Sequence, residues 1–183
     1  MKTIRQTLIA GLLVAAAVLP GAAFASDGTI TFTGRVSSQT CTIGGNGGTS
    51  SSFTVTLPAV STSALSGTGT AAGRTPFSIR LSGCSTATGN AAVYFEPGAT
   101  IDAATGRLIN GASSTPAGNV QIALRNADMS AITLGAAAGS QNSQQVALAS
   151  GAATLNYSAE YVATGTVTSG NVSTSVVYSV VYP

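Results

Sequence analysis

Residues 28–38 read Gly-Thr-Ile-Thr-Phe-Thr-Gly-Arg-Val-Ser-Ser, and the stretch alternates strictly between two kinds of position. An extended chain would place one set on a single apolar face, namely Ile30, Phe32, Gly34 and Val36. Threonines and Arg35 would occupy the opposite face. A period of two is typical of a half-buried strand. Such a strand has to bury its apolar face against another element, in this chain or in another molecule.

The residues before this stretch have the layout of an export signal. Lys2 and Arg5 precede an apolar run over residues 8–18, and Ala23-Phe24-Ala25 is a small-x-small cleavage site. A membrane anchor is the alternative interpretation, but the run is short for a bilayer, which requires about 20 apolar residues. We therefore predict a secretory signal peptide over residues 1–25 and an exported mature chain.

Charge is scarce in the predicted mature chain. The full sequence has 7 basic and 5 acidic residues, no histidine, and a single lysine that lies in the signal peptide. The charges that remain balance one another, and they are Arg35, Arg74, Arg80, Arg107, Arg125, Asp27, Glu96, Asp102, Asp128 and Glu160. A near-neutral surface gives no indication of nucleic-acid binding, and it lets identical subunits approach closely because they repel one another little.

The chain contains two cysteines, Cys41 and Cys84. In an exported protein, two cysteines are expected to form one disulfide. It would close a loop of roughly 40 residues, for which the chain-entropy model gives about 4 kcal/mol of stabilisation. A metal pair or a reactive thiol is the alternative, and the absence of histidine and of a C-x-x-C spacing disfavours it.

Short apolar segments separated by Gly, Ser and Thr predict an all-β domain. Alternation is clearest at residues 53–57, 77–81, 120–124, 155–161 and 176–182. The last of these segments has few polar residues on either face, so we expect both of its faces to be covered. A further strand is predicted from Gln39 to Ile43, followed by a flexible loop over residues 44–51.

Catalytic interpretations have little support in this sequence. Without histidine, neither Ser-His-Asp nor Cys-His catalysis is available, and the mature chain has no lysine for Schiff-base chemistry. Glu96 and Asp102 are close enough in sequence to suggest a carboxylate pair, but they flank a Pro-Gly turn and are better interpreted as solvated loop charges. We predict no enzymatic activity, no metal and no cofactor.

Two further patterns have ordinary structural interpretations. The tripeptides that begin at Asn156 and Asn171 match the glycosylation signal, but both lie in or beside predicted strands. A sugar-stacking surface is an alternative for the late tyrosines, whose period-two spacing favours packing in a core or groove. These tyrosines are Tyr157, Tyr161, Tyr178 and Tyr182.

The order of motifs along the mature chain is more specific than any one of them. The alternating strand with its central glycine precedes Ser-Ser-Gln-Thr-Cys41-Thr-Ile, and the second cysteine ends the segment Thr-Pro-Phe-Ser-Ile-Arg-Leu-Ser-Gly-Cys84. A segment from Gly118 to Asp128 follows, and the chain closes with Gly170 fourteenth from the end and a penultimate Tyr182. This combination resembles the type 1-like fimbrial subunits of the chaperone–usher pathway.

The resemblance implies an all-β, incomplete immunoglobulin-like sandwich that lacks its last strand. The missing strand would leave a hydrophobic groove that also contacts the chaperone, lined by Gly170, Val176, Tyr178, Val180 and Tyr182. A periplasmic chaperone would fill the groove first, and at the outer-membrane usher the N-terminal extension of the next subunit would replace it. The donor-strand residues would be Ile30, Phe32, Gly34 and Val36.

By the same resemblance, the chain is expected to be a structural subunit of a bacterial surface fimbria that supports adhesion. It would comprise a signal peptide over residues 1–25, a donor-strand extension over residues 26–38 and a pilin domain over residues 39–183. Its partners would be identical or related subunits, the chaperone and the usher, and it would pass through the periplasm to the cell surface. The alternatives are a fimbrial adhesin or minor adaptor subunit that binds a host glycan, and a secreted hydrolase.

Overall fold

The computed structural model describes residues 30, 31, 33, 36 and 38–183. The chain divides into two compact units, residues 1–35 and residues 36–183. In the first unit the three described residues are exposed, and every strand described below belongs to the second unit. The predicted signal peptide and two of the predicted donor-strand residues, Phe32 and Gly34, lie outside the described residues.

The second unit is built from short strands, as the alternation predicted. The strands are β1 (Thr42–Gly45), β2 (Ala71–Ser82), β3 (Asn90–Phe95), β4 (Ile101–Asp102), β5 (Arg107–Ile109), β6 (Val120–Asn126), β7 (Gln145–Ala147), β8 (Ala153–Ala163) and β9 (Tyr178–Val181). One 3-10 turn, η1 (Thr62–Leu65), interrupts the long segment between β1 and β2. Ser61 caps this turn, because its hydroxyl accepts the backbone N–H of Ala64 at 3.3 Å. The all-β prediction is confirmed.

The strands form two antiparallel sheets. The large sheet has the order β1-β2-β8-β6-β5-β4, and the small sheet has the order β7-β3-β9. Strands β2 and β8 form the longest pairing, from Ala71 opposite Val162 to Leu81 opposite Ala153. Non-consecutive neighbours in both sheets mean that most pairings join distant parts of the chain.

The hydrophobic core lies between the inner faces of the two sheets. The large sheet contributes Ile79, Leu81 and Leu155, each 1% exposed or less. The small sheet contributes Val93 and Phe95 from alternate positions of β3. Because successive strand residues point to opposite faces, the period of two in the sequence selects the side chains that enter this core.

A buried glutamine extends the small sheet beyond the end of β7. Strand β7 pairs with β3 only from Asn90 to Ala92. Further along β3, the side chain of Gln141 accepts the N–H of Phe95 at 3.0 Å and donates to its carbonyl at 2.7 Å. The carboxamide thus satisfies the backbone groups that a neighbouring strand would otherwise satisfy.

The first strand begins later than predicted. Strand β1 starts at Thr42, and Gly44 and Gly45, which we predicted to open a loop, pair with Arg80 and Ile79. Glycine is needed at position 45 because another chain segment approaches the strand closely there. A Cβ at Gly45 would lie 1.8 Å from Cδ1 of Phe53, so only glycine leaves room there for the Phe53 ring.

Candidate functional site

The backbone of the C-terminal segment, residues 172–182, is hydrogen-bonded along one edge only, as far as the described residues go. Strand β9 pairs with β3 and is the outermost strand of the small sheet. Upstream of β9, the carbonyls of Ser173 and Val177 accept the backbone N–H groups of Gly111 and Glu96, each at 2.8 Å. Carbonyls alternate between the two edges of a strand, so those of the intervening even-numbered residues point toward the opposite edge.

A second extended segment, residues 53–57, has no strand partner among the described residues. The sequence predicted a strand here, and the alternation is present, since Phe53, Val55 and Leu57 are half-buried while the threonines between them are exposed. No backbone hydrogen bond joins this segment to another described residue. The strand prediction was therefore wrong with respect to pairing, although right about which face is apolar.

These two segments form the walls of one feature, which we call the open seam and define as residues 53–57 together with residues 172–182. Phe53 lies edge-on to Tyr178, with ring centroids 6.4 Å apart. Just beyond residue 57, Val60 packs against the same small apolar cluster as Val172. The walls therefore run in opposite directions.

Apolar side chains from both walls contact the edge of the main core. The contributors are Phe53, Val55, Leu57, Val172, Val176, Tyr178, Val180 and Tyr182, all of them half-buried. Between them, the hydroxyl of Thr174 is buried and has no hydrogen-bond partner among the described residues. The open seam thus combines incompletely buried apolar surface with backbone and side-chain polar groups that have no hydrogen-bond partner among the described residues.

The four seam residues predicted on β9 and immediately beside it do lie together. Val176, Tyr178, Val180 and Tyr182 all pack against the core from one face of the segment. Burial raises the pKa of the Tyr178 and Tyr182 hydroxyls, so both stay protonated well above neutral pH.

Gly170 lies at the start of the same segment, against another loop. A Cβ there would lie 2.5 Å from the backbone nitrogen of Ala117 and the carbonyl oxygen of Thr115, so a side chain has no room. The next residue, Asn171, forms a parallel bridge with Pro116. Gly170 therefore allows the C-terminal segment to start in close contact with this loop, and its predicted part in lining the groove stays a prediction.

The outer face of the C-terminal segment is exposed, whereas we predicted that both faces are covered. Val177 is 71% exposed and Val181 is 36% exposed. Only one face of the small sheet packs on the core, and no described element covers these two valines. Of the predicted donor-strand residues, Ile30 is 79% exposed and Val36 fully exposed, whereas Phe32 and Gly34 lie outside the described residues.

The predicted disulfide is present and supports the chain that leads into the open seam. Cys41 and Cys84 are bonded, with Cα atoms 4.0 Å apart and a sequence separation of 43. Cys84 lies just past the end of β2, as predicted. The disulfide therefore ties the start of β1 to the end of β2, one short loop away from residues 53–57.

The carboxylates considered as a catalytic pair have separate structural roles. Glu96 accepts a hydrogen bond from the Ser179 hydroxyl at 2.5 Å. Asp102 accepts from the Ala104 N–H at 2.9 Å and from the Gln121 side chain at 2.7 Å, and these bonds lower the pKa of Asp102. Within the described part of the chain no cluster of metal-ligating side chains occurs, and no helix there is long and apolar enough to cross a membrane.

A buried carboxylate paired with two arginines on the outer face of the large sheet was not predicted from the sequence. Glu160, on β8, is 2% exposed and forms salt bridges with Arg74 and Arg125, the former at 2.8 Å. Burial by itself would raise the pKa of Glu160, but hydrogen bonds and charge from both arginines outweigh burial and lower it. The three residues lie far apart in sequence, and only the β2-β8-β6 pairing brings them together.

The chain is similar to known fimbrial proteins over most of its length. A family model described as type-1 fimbrial protein, A, matches residues 57–183. The major fimbrial subunit SMF-1 of Stenotrophomonas maltophilia is 48% identical over 170 residues, which cover 91% of this chain and 98% of that protein. The F17 fimbrial protein of Escherichia coli is 46% identical over 179 residues, with coverages of 95% and 96%.

The fold is also found in a solved pilus. A structure of a chaperone–usher pilus superposes with a TM-score of 0.57 at 18% identity, covering 86% of this chain and 96% of that one. At this identity the likeness concerns the fold alone. With the family model and the two relatives, it leads to one conclusion: the chain belongs to the type-1 fimbrial protein family and is a structural subunit of a bacterial fimbria.

Proposed function

We propose that this fimbrial subunit polymerises by strand exchange, in which residues 26–38 of one subunit fill the open seam of the next. The observation that carries the proposal is the open seam itself. It presents two extended, oppositely directed walls, and a strip of half-buried apolar side chains lies between them. Among the described residues, residues 53–57 have no strand partner, and β9 is paired along one edge, with β3. Adding an extended peptide to an exposed sheet edge is an established mode of protein association.

The donor segment has the pattern that this surface requires. Ile30, Phe32, Gly34 and Val36 occupy every second position, and by the resemblance to fimbrial subunits Gly34 would face a shallow part of the seam. Burying three large apolar side chains at about 1.5–3 kcal/mol each contributes roughly 5–9 kcal/mol per junction before the cost of ordering the donor. Ladder hydrogen bonds along the free edge of β9 would add to this stabilisation.

An uncovered seam on a newly exported subunit explains why a chaperone and an usher belong to the proposal. Exposed sheet edges with apolar surface pair with other chains indiscriminately. A periplasmic chaperone that covers the seam through Val176, Tyr178, Val180 and Tyr182 would prevent this, and an outer-membrane usher would exchange it for a donor strand. The signal peptide over residues 1–25 would direct export, and the fimbria is extracellular.

The alternative functions receive no comparable support. Neither relative named above is described as an adhesin. No feature of the described residues favours a glycan-binding site or a hydrolase over a structural subunit. The family is one of structural fimbrial proteins, and the proposal therefore assigns this chain to the fibre itself, with adhesion as a property that the assembled fibre supports.

The test places a charge on the apolar face of the donor segment. Phe32→Asp is expected to abolish surface fibres seen by electron microscopy while leaving the complex between subunit and co-expressed chaperone intact. Thr33→Asp is the matched control, because it introduces the same charge one residue later, on the opposite face. Fibres of normal length from Phe32→Asp, or equal loss of fibres from both variants, would contradict strand exchange through this face.

A further inference from the structure

One hydrogen bond crosses the open seam. The hydroxyl of Tyr178, on β9, donates to the carbonyl oxygen of Ser51 at 2.7 Å, although the two residues are 127 positions apart in sequence. Ser51 lies directly before the other wall, two residues from Phe53. Among the described residues no other hydrogen bond connects residues 51–57 with residues 172–182.

The length of a tyrosine side chain suits a gap of one missing strand. Neighbouring strands lie about 4.8 Å apart, so two walls separated by one absent strand would be about 10 Å apart. A backbone hydrogen bond cannot bridge such a distance, whereas an extended tyrosine side chain can. Tyr178 therefore links the walls across the space that a donor strand would occupy.

Phe53 reinforces the contact from the opposite wall. Its ring meets the ring of Tyr178 at an interplanar angle of 66°, an edge-to-face arrangement that is favourable for aromatic pairs. Phe53 also packs against Phe77 of the core, with centroids 6.1 Å apart. The aromatic pair thus places side chains of the subunit itself between the two walls of the open seam.

We propose that Tyr178 is a latch that holds the unoccupied seam closed and slows the entry of a donor strand. This inference rests on the proposed function, because it concerns the same seam. An entering strand has to break the Tyr178–Ser51 hydrogen bond and displace the Tyr178 ring from Phe53 before its own side chains reach the core. While this hydrogen bond is in place, it opposes premature pairing between subunits.

The latch is tested by the rate of donor uptake. The full chain carrying Phe32→Asp, so that its own donor segment does not compete, is refolded and mixed with a fluorescent peptide of residues 28–38. Fluorescence anisotropy gives the rate of uptake. Tyr178→Phe removes the hydroxyl and keeps the ring, and it is expected to take up the peptide about fivefold faster, which corresponds to about 1 kcal/mol for one hydrogen bond.

The matched control is Tyr94→Phe. Tyr94 lies on β3 of the same sheet, faces away from the core, and has no hydrogen bond from its hydroxyl to a described residue. It is expected to leave the rate unchanged. A second latch variant, Phe53→Leu, removes the aromatic contact and is expected to accelerate uptake about twofold, so the proposal remains testable if Tyr178→Phe does not fold.

The outcomes separate the latch from strand exchange. Faster uptake by Tyr178→Phe and Phe53→Leu, with Tyr94→Phe at the parent rate and near-UV circular dichroism unchanged, would support the latch. Uptake at the parent rate or slower by both latch variants would overturn the latch and leave strand exchange standing. Failure of the parent and all variants to bind the peptide would overturn both.

Discussion

Strands β8 and β9 have similar sequences and opposite surroundings. Residues 155–161 read Leu-Asn-Tyr-Ser-Ala-Glu-Tyr, and residues 176–182 read Val-Val-Tyr-Ser-Val-Val-Tyr, both with apolar residues at every second position. Strand β8 is paired on both sides, with β2 and β6, and most of its residues are buried. Among the described residues, strand β9 is paired with β3 alone, and its inward side chains remain half-buried.

The difference teaches that alternation determines which face of a strand is apolar and leaves open how many neighbours the strand has. In the large sheet every central strand has found its partners within the chain. In the small sheet one position beside β9 is left for a partner that the described residues do not supply. We therefore expect the two regions to respond differently to substitution, and the following predictions are arranged from the largest expected effect to the smallest.

Removing the disulfide should have the largest effect on the isolated subunit. The double substitution Cys41→Ser with Cys84→Ser opens a loop with a sequence separation of 43, and the free energy of unfolding should fall by about 4 kcal/mol. Urea denaturation of the variant and of the oxidised parent measures the difference. The reduced parent should behave like the variant. A loss below about 1 kcal/mol would mean that the large sheet holds β1 without the covalent link.

Shortening a core side chain on a central strand of the large sheet should have the next largest effect on stability. Leu155 is 0% exposed on β8, and Leu155→Ala should lower the free energy of unfolding by about 3 kcal/mol, because it removes buried surface and leaves a cavity. Urea denaturation is again the measurement. An effect below about 1 kcal/mol would indicate that the core beneath the large sheet collapses around the change, and the contrast with the seam would then be weaker than proposed.

The buried ion pair should make the large sheet sensitive to acid. Glu160 has a pKa below its ordinary value of 4.5, so its stabilising contribution is complete above pH 4.5 and is lost as pH falls through the lower folded-state pKa. Glu160→Gln should reduce stability by about 2 kcal/mol at neutral pH, since Arg74 and Arg125 lose their charged partner but remain partly solvated.

Thermal melting at several pH values tests this prediction. The gap between parent and Glu160→Gln should be constant from neutral pH down to about pH 5 and should narrow below pH 4.5. Glu96→Gln is a suitable control, because Glu96 forms one hydrogen bond to Ser179 and no salt bridge among the described residues. A gap that does not change with pH would show that packing, not charge, accounts for the effect.

Truncation in the open seam should have the smallest effect on the free subunit. Leu57 is half-buried, and Leu57→Ala should lower its stability by only about 1 kcal/mol. With a saturating donor peptide of residues 28–38, the same substitution should lower stability by more, because the strand would complete the burial of Leu57. Equal losses with and without the peptide would argue that residues 53–57 do not form a wall of the acceptor site.

Much of the fold follows from local sequence patterns. The alternation at residues 77–81, 120–124 and 155–161 predicted strands that the structure contains. A strand with one buried face needs an apolar residue at every second position, because successive side chains point to opposite faces. Two cysteines in an exported chain have only each other to pair with, so the bond between Cys41 and Cys84 followed from composition alone.

Only one of the two walls of the open seam was predicted as part of a groove. Val176, Tyr178, Val180 and Tyr182 were assigned to a groove through the resemblance to fimbrial subunits. The other wall, residues 53–57, was predicted as an ordinary strand. The sequence shows Pro58 at its end and a glycine-rich loop before it, but these features do not reveal whether the strand is paired. Nothing local distinguishes a strand that finds a partner from one that does not.

The sequence by itself determined the strand faces, the covalent link and the apolar C-terminal segment, since each of these depends on residues that are neighbours in the chain or on residue counts. Only the tertiary structure decided the rest. It brought Glu160 between Arg74 and Arg125, exposed Val177, and set the Tyr178 hydroxyl on the carbonyl of Ser51. These contacts depend on which strands become neighbours, and that choice is made by the packing of the whole domain.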